Sequence, residues 1–562
     1  PEACPPVTGE ASHALRSRGT GLLFGVCVRL YGLPHLLRTH WALFLLMLVA
    51  VPLIFYNLAY EPYWQDELTS FDAAKGILAH GYPSLISGFI YPKGELYSYC
   101  LALFMRIFGD QAGIPRALSA VEYIASLPLL YVVGCYFFDR RVALLATAML
   151  ALSPIALVWG RQVRMYEQAQ VLTLVVFYLF YRATQEPGSV RIAYLAVACL
   201  VVDYLSHEEV FITLPALLIG VLLFSRDGRH RLPAVLYNKH WWFAAALGAS
   251  LIAIQLVVVK FSHPPVLGTD GSEQPFIQVN AENIPFYIGL LFFPIDKEPV
   301  LVLNSILALC GCLGAIHSTD RRVKYCALFL VVSFLTLMLI FTMRADRYFY
   351  PLLPAYYLLG AYALLRGLRA IWTFALARVT CQQPGPLASP APGGYLPLSM
   401  RLAATWTALL FCACVVFCPL LPVGGYSLSI SRLAGFSYHR HYVDSDNAGQ
   451  YVKAHLRRGD IVISITPDYM VYHYIGQADY FFSIDRALFL FERDGHIVDT
   501  SIGGIALLRQ EDLQAILASH PRVWLISDSH YQIDVLKRFT FPADLHIVYE
   551  GYNSIVYLRG SA

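Results

Sequence analysis

The chain has 562 residues, of which 57% are hydrophobic and only 14% charged, and its formal net charge is +3. Soluble domains carry about 25% charged residues, so a chain this poor in charge, with its apolar residues gathered in long runs, reads as a multi-span membrane protein. A net charge this small gives no reason to expect a nucleic-acid partner.

The first residues are polar and offer no apolar core for a secretory signal peptide. Arg16, Arg18, Arg29 and Arg38 precede the first apolar run, Trp41–Ala59. Basic residues stay cytoplasmic, so residues 1–40 are expected inside and Tyr60 outside. The outer stretch that follows contains Tyr60-Glu61-Pro62-Tyr63-Trp64-Gln65-Asp66-Glu67 and then Ile90-Tyr91-Pro92-Lys93-Gly94-Glu95. Two adjacent carboxylates therefore sit at the exit of a span among Trp and Tyr, residues that favour the membrane–water boundary. Such acids could meet a substrate with one end in lipid, or they could only cap the next helix. Gly94–Phe108 is short for a span of about 20 residues and is laid on the outer surface.

Ala117–Phe137 is expected to run inward to the turn Asp139-Arg140-Arg141, and Val142–Val158 outward to Arg161, Arg164 and Glu167. Val171–Tyr181 goes in, Ile192–Leu205 goes out to Ser206-His207-Glu208-Glu209, and Val210–Phe224 returns to a basic loop with Arg226, Arg229 and Arg231. Trp241–Lys260 leads out to the loop 261–298, in which Ile284–Pro294 is too short to span. Val300–Ile316, Tyr325–Met343, Phe349–Leu365 and Leu402–Leu421 complete about 11 spans, with a Pro/Gly-rich linker at 380–398. Each basic loop is then cytoplasmic, and the C-terminus lies outside. The membrane domain is expected over residues 41–425, with a catalytic outer loop at 60–116.

Residues 430–562 differ. Asp444–Arg458 and Glu511–Ser519 read as helices, and Asp460–Ile465, Arg522–Ser527, Leu545–Tyr549 and Ser554–Leu558 as strands, which implies a small α/β domain. Gly503-Gly504 is no dinucleotide fingerprint. Most of the 12 cysteines lie in apolar runs, none follows Cys418, and Cys310-x-Cys312 lacks zinc spacing, so they read as small buried hydrophobes.

This topology puts four polar clusters on one side: Asp66/Glu67 with Lys93; Arg161/Arg164/Glu167; His207/Glu208; and Arg344/Asp346/Arg347. Charged groups near a bilayer are costly and suggest function. The acids could serve as a general base or hold a cation, and the cations could hold a phosphate. Plainer readings stand beside these. Arg161 and Arg164 could anchor a helix, His207 could be a structural hydrogen-bonder, Glu209 could be solvated, and Arg344/Asp346/Arg347 could be a local ion-pair cluster.

In this order the motifs resemble the C-type integral-membrane glycosyltransferases, such as the protein O-mannosyltransferases and the bacterial aminoarabinose transferases that modify lipid A. The acid pair Asp66-Glu67 resembles that family's hallmark in the first outer loop. Tyr91-Pro92-Lys93-Gly94-Glu95 resembles its Lys-Pro-Pro segment and departs at Gly94 and Glu95. Arg164-Met165-Tyr166-Glu167 resembles the acid-ending second-loop segment, and Arg347-Tyr348-Phe349-Tyr350-Pro351 the late Arg-Tyr-x-x-Pro segment. The resemblance implies an α-helical multi-pass fold and transfer of a sugar, with inversion, from a polyprenyl-phosphate donor to a lipid, glycan or protein acceptor. Asp66 would be the base, with Glu67 and Glu167 supporting it. Lys93, Arg161, Arg164 and Arg347 would bind the donor phosphate, and His207, Glu208 and Tyr348 would line the acceptor cavity. No cofactor is required; a divalent cation, if one is used, would fall to Asp66 and Glu167. The expected location is the outer face of a prokaryotic plasma membrane rather than the endoplasmic reticulum.

Two other readings remain. A lipid or lipid-linked-sugar flippase would need polar groups at mid-span or on both faces, often with repeated broken helices. An oligosaccharyltransferase would use a pyrophosphate donor and usually a metal and a Trp-Trp-Asp peptide-reading motif; Trp241-Trp242 lies instead at a cytoplasmic span end.

Overall fold

The computed structural model describes residues 33–59, 62–225, 233–262, 281, 283–292, 302–340, 345–381, 444–465, 468–482, 490–528, 535, 537–551 and 553–560. Pro1–Val49 and Ala50–Ala562 are separate units. The described part of the first is the beginning of helix α1 (Leu33–Phe55); the polar site and the C-terminal sheet belong to the second. Arg344, the span Leu402–Leu421, the linker 380–398 beyond Cys381, most of the loop 261–298 and the basic residues 226–232 lie outside the described residues.

Helices occupy every other expected span: α4 (Ile114–Phe137), α5 (Arg140–Ala151), α6 (Pro154–Trp159), α7 (Tyr166–Gln185), α8 (Val190–Ser206), α9 (Leu214–Phe224), α10 (Lys239–Ser262), α12 (Val302–Ile316), α13 (Arg321–Ile340) and α14 (Leu353–Cys381). Among the described residues three helices are long and apolar enough to cross a membrane by themselves: Ile114–Phe137, Lys239–Val258 and Arg321–Ile340. The expectation of about 11 spans is thus not confirmed: helices stand at the expected places among the described residues, but only three have the length and apolarity of a span. One reason is visible at Val142–Val158, expected as one span. Pro154 has no N–H to donate, and Ser153 instead caps the new helix α6 through Ala156 N–H at 3.4 Å, so the segment breaks in two. Helix α11 (Asn283–Phe292) is short, as expected.

Two helices lie between α1 and α4. Helix α2 (Gln65–His80) begins with the acid pair and ends at Gly81, whose φ of +87° permits the left-handed C-terminal turn. A hairpin-like turn follows, joined at Ser84 and Ile90. It approaches α2 so closely that a Cβ at Gly76 would stand 2.1 Å from the Ser84 carbonyl, which explains a glycine inside a helix. Helix α3 (Glu95–Phe108) buries Tyr97, Leu101 and Met105 and exposes Leu103, Ile107 and Phe108. That two-sided pattern fits the expected surface placement. Gly94, at φ +61°, starts it.

The C-terminal segment forms one eight-stranded sheet in the order β3-β4-β5-β2-β1-β6-β8-β7. Strands β1 (Ile461–Ser464), β2 (Tyr480–Phe482), β5 (Ile505–Leu507) and β6 (Val523–Asp528) pair in parallel. Strands β3 (Leu490–Arg493) and β4 (His496–Asp499) extend one edge antiparallel, and β7 (Leu545–Gly551) and β8 (Ser554–Arg559) the other. Helices α15 (Ser445–His455), α16 (Asp468–Ile475) and α17 (Gln510–Ser519) complete it. The expected helices are present, and the four expected strands are β1, β6, β7 and β8, contiguous in the sheet. Helix α16 and strands β2 to β5 were not foreseen, because runs of three or four residues carry too little periodicity to read. One apolar cluster joins this domain to α2 and α3: Tyr63, Leu68 and Phe71 pack with Tyr97, Tyr469, Met470 and Ile502.

Candidate active site

Asp66 and Glu67 are neighbours on the first turn of α2 and therefore point about 100° apart. Their surroundings differ completely. Glu67 is 1% exposed and receives the Arg116 guanidinium on both oxygens, at 2.7 Å each. It also accepts the N–H of Val163 at 3.0 Å and that of Trp64 at 3.3 Å. Arg116, in the first turn of α4, donates further to the carbonyls of Leu58 and Pro62 and lies over the Tyr63 ring. Glu67 is thereby committed to joining α2, α4 and the loop before α7. Expected to support the chemistry, Glu67 stands in the structure as a buried tie between these segments. Arg116 was missed from the sequence; an arginine at the head of an apolar helix was its one visible signal.

Asp66 keeps its side chain 29% exposed, with one oxygen 3.7 Å from Arg164 Nη2 and 3.8 Å from Arg347 Nη2. Three segments far apart in sequence thus meet at one carboxylate. Arg164 is 5% exposed. Its Nη1 donates to the Asp66 carbonyl at 2.8 Å, Ser70 Oγ at 3.0 Å and Tyr91 Oη at 3.4 Å, and its guanidinium faces the Tyr166 ring. Arg347 stands over Trp159 and Tyr348. The Nε of each arginine is buried without a hydrogen-bond partner. Two guanidiniums around one carboxylate leave a local excess of positive charge. Of the third late-segment residue, Asp346, one oxygen accepts the indole N–H of Trp159 at 3.1 Å.

Lys93 lies 3.6 Å from Glu208, both partly exposed, so its ion pair is made with Glu208. His207 is 4% exposed and stacks obliquely on Tyr166. Its Nδ1 accepts the Glu209 N–H at 3.0 Å, which assigns the ring proton to Nε2. Burial, with Lys93, Arg164 and Arg347 nearby, holds its pKa well below the usual histidine range. Glu209, expected to be solvated, is 1% exposed, and burial raises its carboxyl well above the usual range.

Two expected members stand elsewhere. Arg161 donates to the carbonyls of Leu53, Ile54 and Asn57, so it finishes the C-terminal end of α1 instead of joining Asp66. Glu167 is fully buried, hydrogen-bonded to the Tyr350 hydroxyl, and so close to Gly160 that a Cβ there would stand 3.0 Å from its Oε1. Asp66 and Glu167 therefore have separate partners and form no common cation site. Among the described residues, no three His, Cys, Asp or Glu side chains converge to hold a metal.

Residues 93–257 match the dolichyl-phosphate-mannose-protein mannosyltransferase family. No curated protein matches the chain significantly in sequence. In structure the chain is similar to ArnT of Cupriavidus metallidurans in the apo state, at 15% identity and a TM-score of 0.57 over 93% of this chain and 100% of that one. It is similar to the same protein bound to undecaprenyl phosphate, at 14% identity and 0.54 over 92% and 99%. An oligosaccharyltransferase of Archaeoglobus fulgidus, tethered with an acceptor peptide, matches at 11% identity and 0.51 over 88% of this chain and 70% of that one. At these identities the likeness is one of fold. In that fold, and in sequence over residues 93–257, the chain resembles the C-type integral-membrane glycosyltransferases.

Proposed function

We propose that the chain is an inverting glycosyltransferase that moves a sugar from a polyprenyl-phosphate donor to an acceptor hydroxyl on the extracytoplasmic face of a membrane. The observation that carries this is Asp66, a partly exposed carboxylate set against two largely buried arginines with unpartnered Nε–H groups. A phosphate brought to Arg164 and Arg347 would take their free donors and release Asp66 from its long ion pairs. Asp66 then accepts the proton of the acceptor hydroxyl. The hydroxyl oxygen forms the new bond to the anomeric carbon from the side opposite the phosphate. The bonding pair of the old carbon–oxygen bond leaves on the lipid phosphate, whose added negative charge meets the two guanidiniums. Glu67 holds the helix that carries the base, and Lys93 pairs with Glu208. Undecaprenyl phosphate on the structurally similar ArnT supports the choice of lipid carrier.

The test is release of polyprenyl phosphate by purified protein in lipid nanodiscs, supplied with monosaccharide donors and with lipid, glycan and peptide acceptors. Asp66→Asn should fold, bind donor and lose about 10²–10⁴-fold of the rate, the usual contribution of a general base. Transfer from a pyrophosphate-linked oligosaccharide alone would favour the oligosaccharyltransferase reading. Movement of the lipid across the bilayer without bond cleavage would favour a flippase. An Asp66→Asn protein with the wild-type rate would overturn the assignment of the base.

A further inference from the structure

The α/β domain meets the first outer loop at two places, and both lie beside residues of the proposed active site. At the first, one stripe of α16 lies on α2. Residues 469, 470, 473 and 474 share a face at helical spacing. Tyr474 Oη accepts the N–H of Tyr63 at 2.9 Å, just ahead of the helix start. Tyr469 Oη donates to the Leu68 carbonyl at 3.2 Å, one residue past the acid pair. His473 sets its ring edge-on against Tyr63 and Phe71. At the second place, the turn after β4 grips Ser87. Ser87 donates its N–H to the Ser501 carbonyl at 2.9 Å and its hydroxyl to the Thr500 carbonyl, while Arg493 Nη1 donates to the Ser87 carbonyl at 3.0 Å. Asp499 holds that turn by accepting the N–H groups of Ser501, Ile502 and Gly504. The gripped segment leads directly into Tyr91, which reaches Arg164, and Lys93, which pairs with Glu208.

We infer that the C-terminal α/β domain positions the catalytic helix and the donor-binding loop, with Tyr469, Tyr474 and Arg493 as positioning residues that act through α2 and residues 83–93. The inference rests on the reading of Asp66 as base. The physical argument is one of rigidity. The first turn of a helix has unpaired N–H groups and frays most readily. Trp64, at the N-cap, cannot supply a short side-chain oxygen. The turn that carries Asp66 is therefore held from two sides, by Glu67–Arg116 from the membrane domain and by two tyrosine hydroxyls from the α/β domain. A shift of about 1 Å at a catalytic group is enough to cost about a hundredfold in rate.

The experiment compares full-length wild type, Tyr469→Phe/Tyr474→Phe, Arg493→Ala and Arg493→Lys. Hydrogen exchange of residues 62–72 is followed along with kcat, donor KM and thermal stability. The double variant should exchange in 62–72 about tenfold faster, with exchange across 114–137 unchanged. Its kcat should fall about tenfold, with donor KM within about twofold of wild type and no matching loss of folded protein. Arg493→Lys should recover most of what Arg493→Ala loses. Unchanged exchange in 62–72 would overturn the inference, whatever the activity. So would a kcat that falls only in proportion to the folded fraction, which is all that a merely structural role would give. Exchange needs no turnover. If wild type transfers no sugar from any donor, the reading of Asp66 fails while faster exchange still supports the mechanical coupling.

Discussion

Glu67→Gln separates the two acids more sharply than any other change. In the native protein the Glu67 carboxylate takes two charge-assisted bonds from Arg116 and two backbone N–H groups, with the side chains of the ion pair 1% and 5% exposed. A glutamine keeps the shape, but its carboxamide has one acceptor oxygen and turns an NH₂ toward the guanidinium or toward a backbone N–H. Arg116 would be left as a buried cation without its carboxylate counter-charge. Removing one partner of a buried pair costs about 3–5 kcal/mol, so Glu67→Gln should lower thermal stability by several degrees and loosen α2. Arg116→Met should cost a comparable amount. The double variant should cost less than the sum, by about 0.5–3 kcal/mol, because the stranded charge is gone. The assay is thermal unfolding of purified variants in detergent, with Asp66→Asn as the comparator that leaves the pair intact. A Glu67→Gln protein as stable as wild type but inactive would refute the reasoning and make Glu67 the base.

Arg347→Ala removes a charged donor, an interaction worth about 1.5–3 kcal/mol, so donor affinity in the folded variant should fall about ten- to a hundredfold; normal affinity would return Arg347 to a structural ion pair with Asp66. Asp72, 8% exposed on α2 beside Tyr469 and Lys75, has its carboxyl pushed up by burial to about 6 from 3.8. A raised acid contributes stability that is full below the unfolded pKa and is lost as pH rises through the folded one, here about 3 kcal/mol between pH 4 and 6 at 1.36 kcal/mol per unit. Asp72→Asn should flatten the decline of thermal stability over that window, and an unchanged slope would remove Asp72 as its cause. The α/β domain touches the loop that carries Asp66, so single cysteines at exposed sites such as Glu511 and His80 should label from the same, extracytoplasmic side; labelling from the cytoplasm alone would sink the proposed orientation.

Much of the architecture was legible in the chain itself. Long apolar runs place helices because buried or lipid-facing backbone must satisfy its own hydrogen bonds, and the Asp66-Glu67, Arg164 and Arg347 segments stood out as costly charges at the ends of such runs. The helix breaks were less legible. Pro154 was visible, but whether a proline kinks a span or divides it depends on partners such as Ser153, which the fold supplies. Only the tertiary structure could decide between the adjacent acids. Helical geometry states that Asp66 and Glu67 diverge, and nothing local says which one turns inward; that was settled by Arg116, 49 positions away, and by the Val163 N–H, 96 positions away. The same holds for Arg161, whose fate depended on where the carbonyls of α1 ended, and for Glu167, enclosed by Tyr350 from a segment 183 residues later. A side chain's chemistry is set by what lies within about 4 Å of it. In a chain that folds back on itself many times, those neighbours come from other segments, so the sequence could nominate the charges while the packing alone chose their partners.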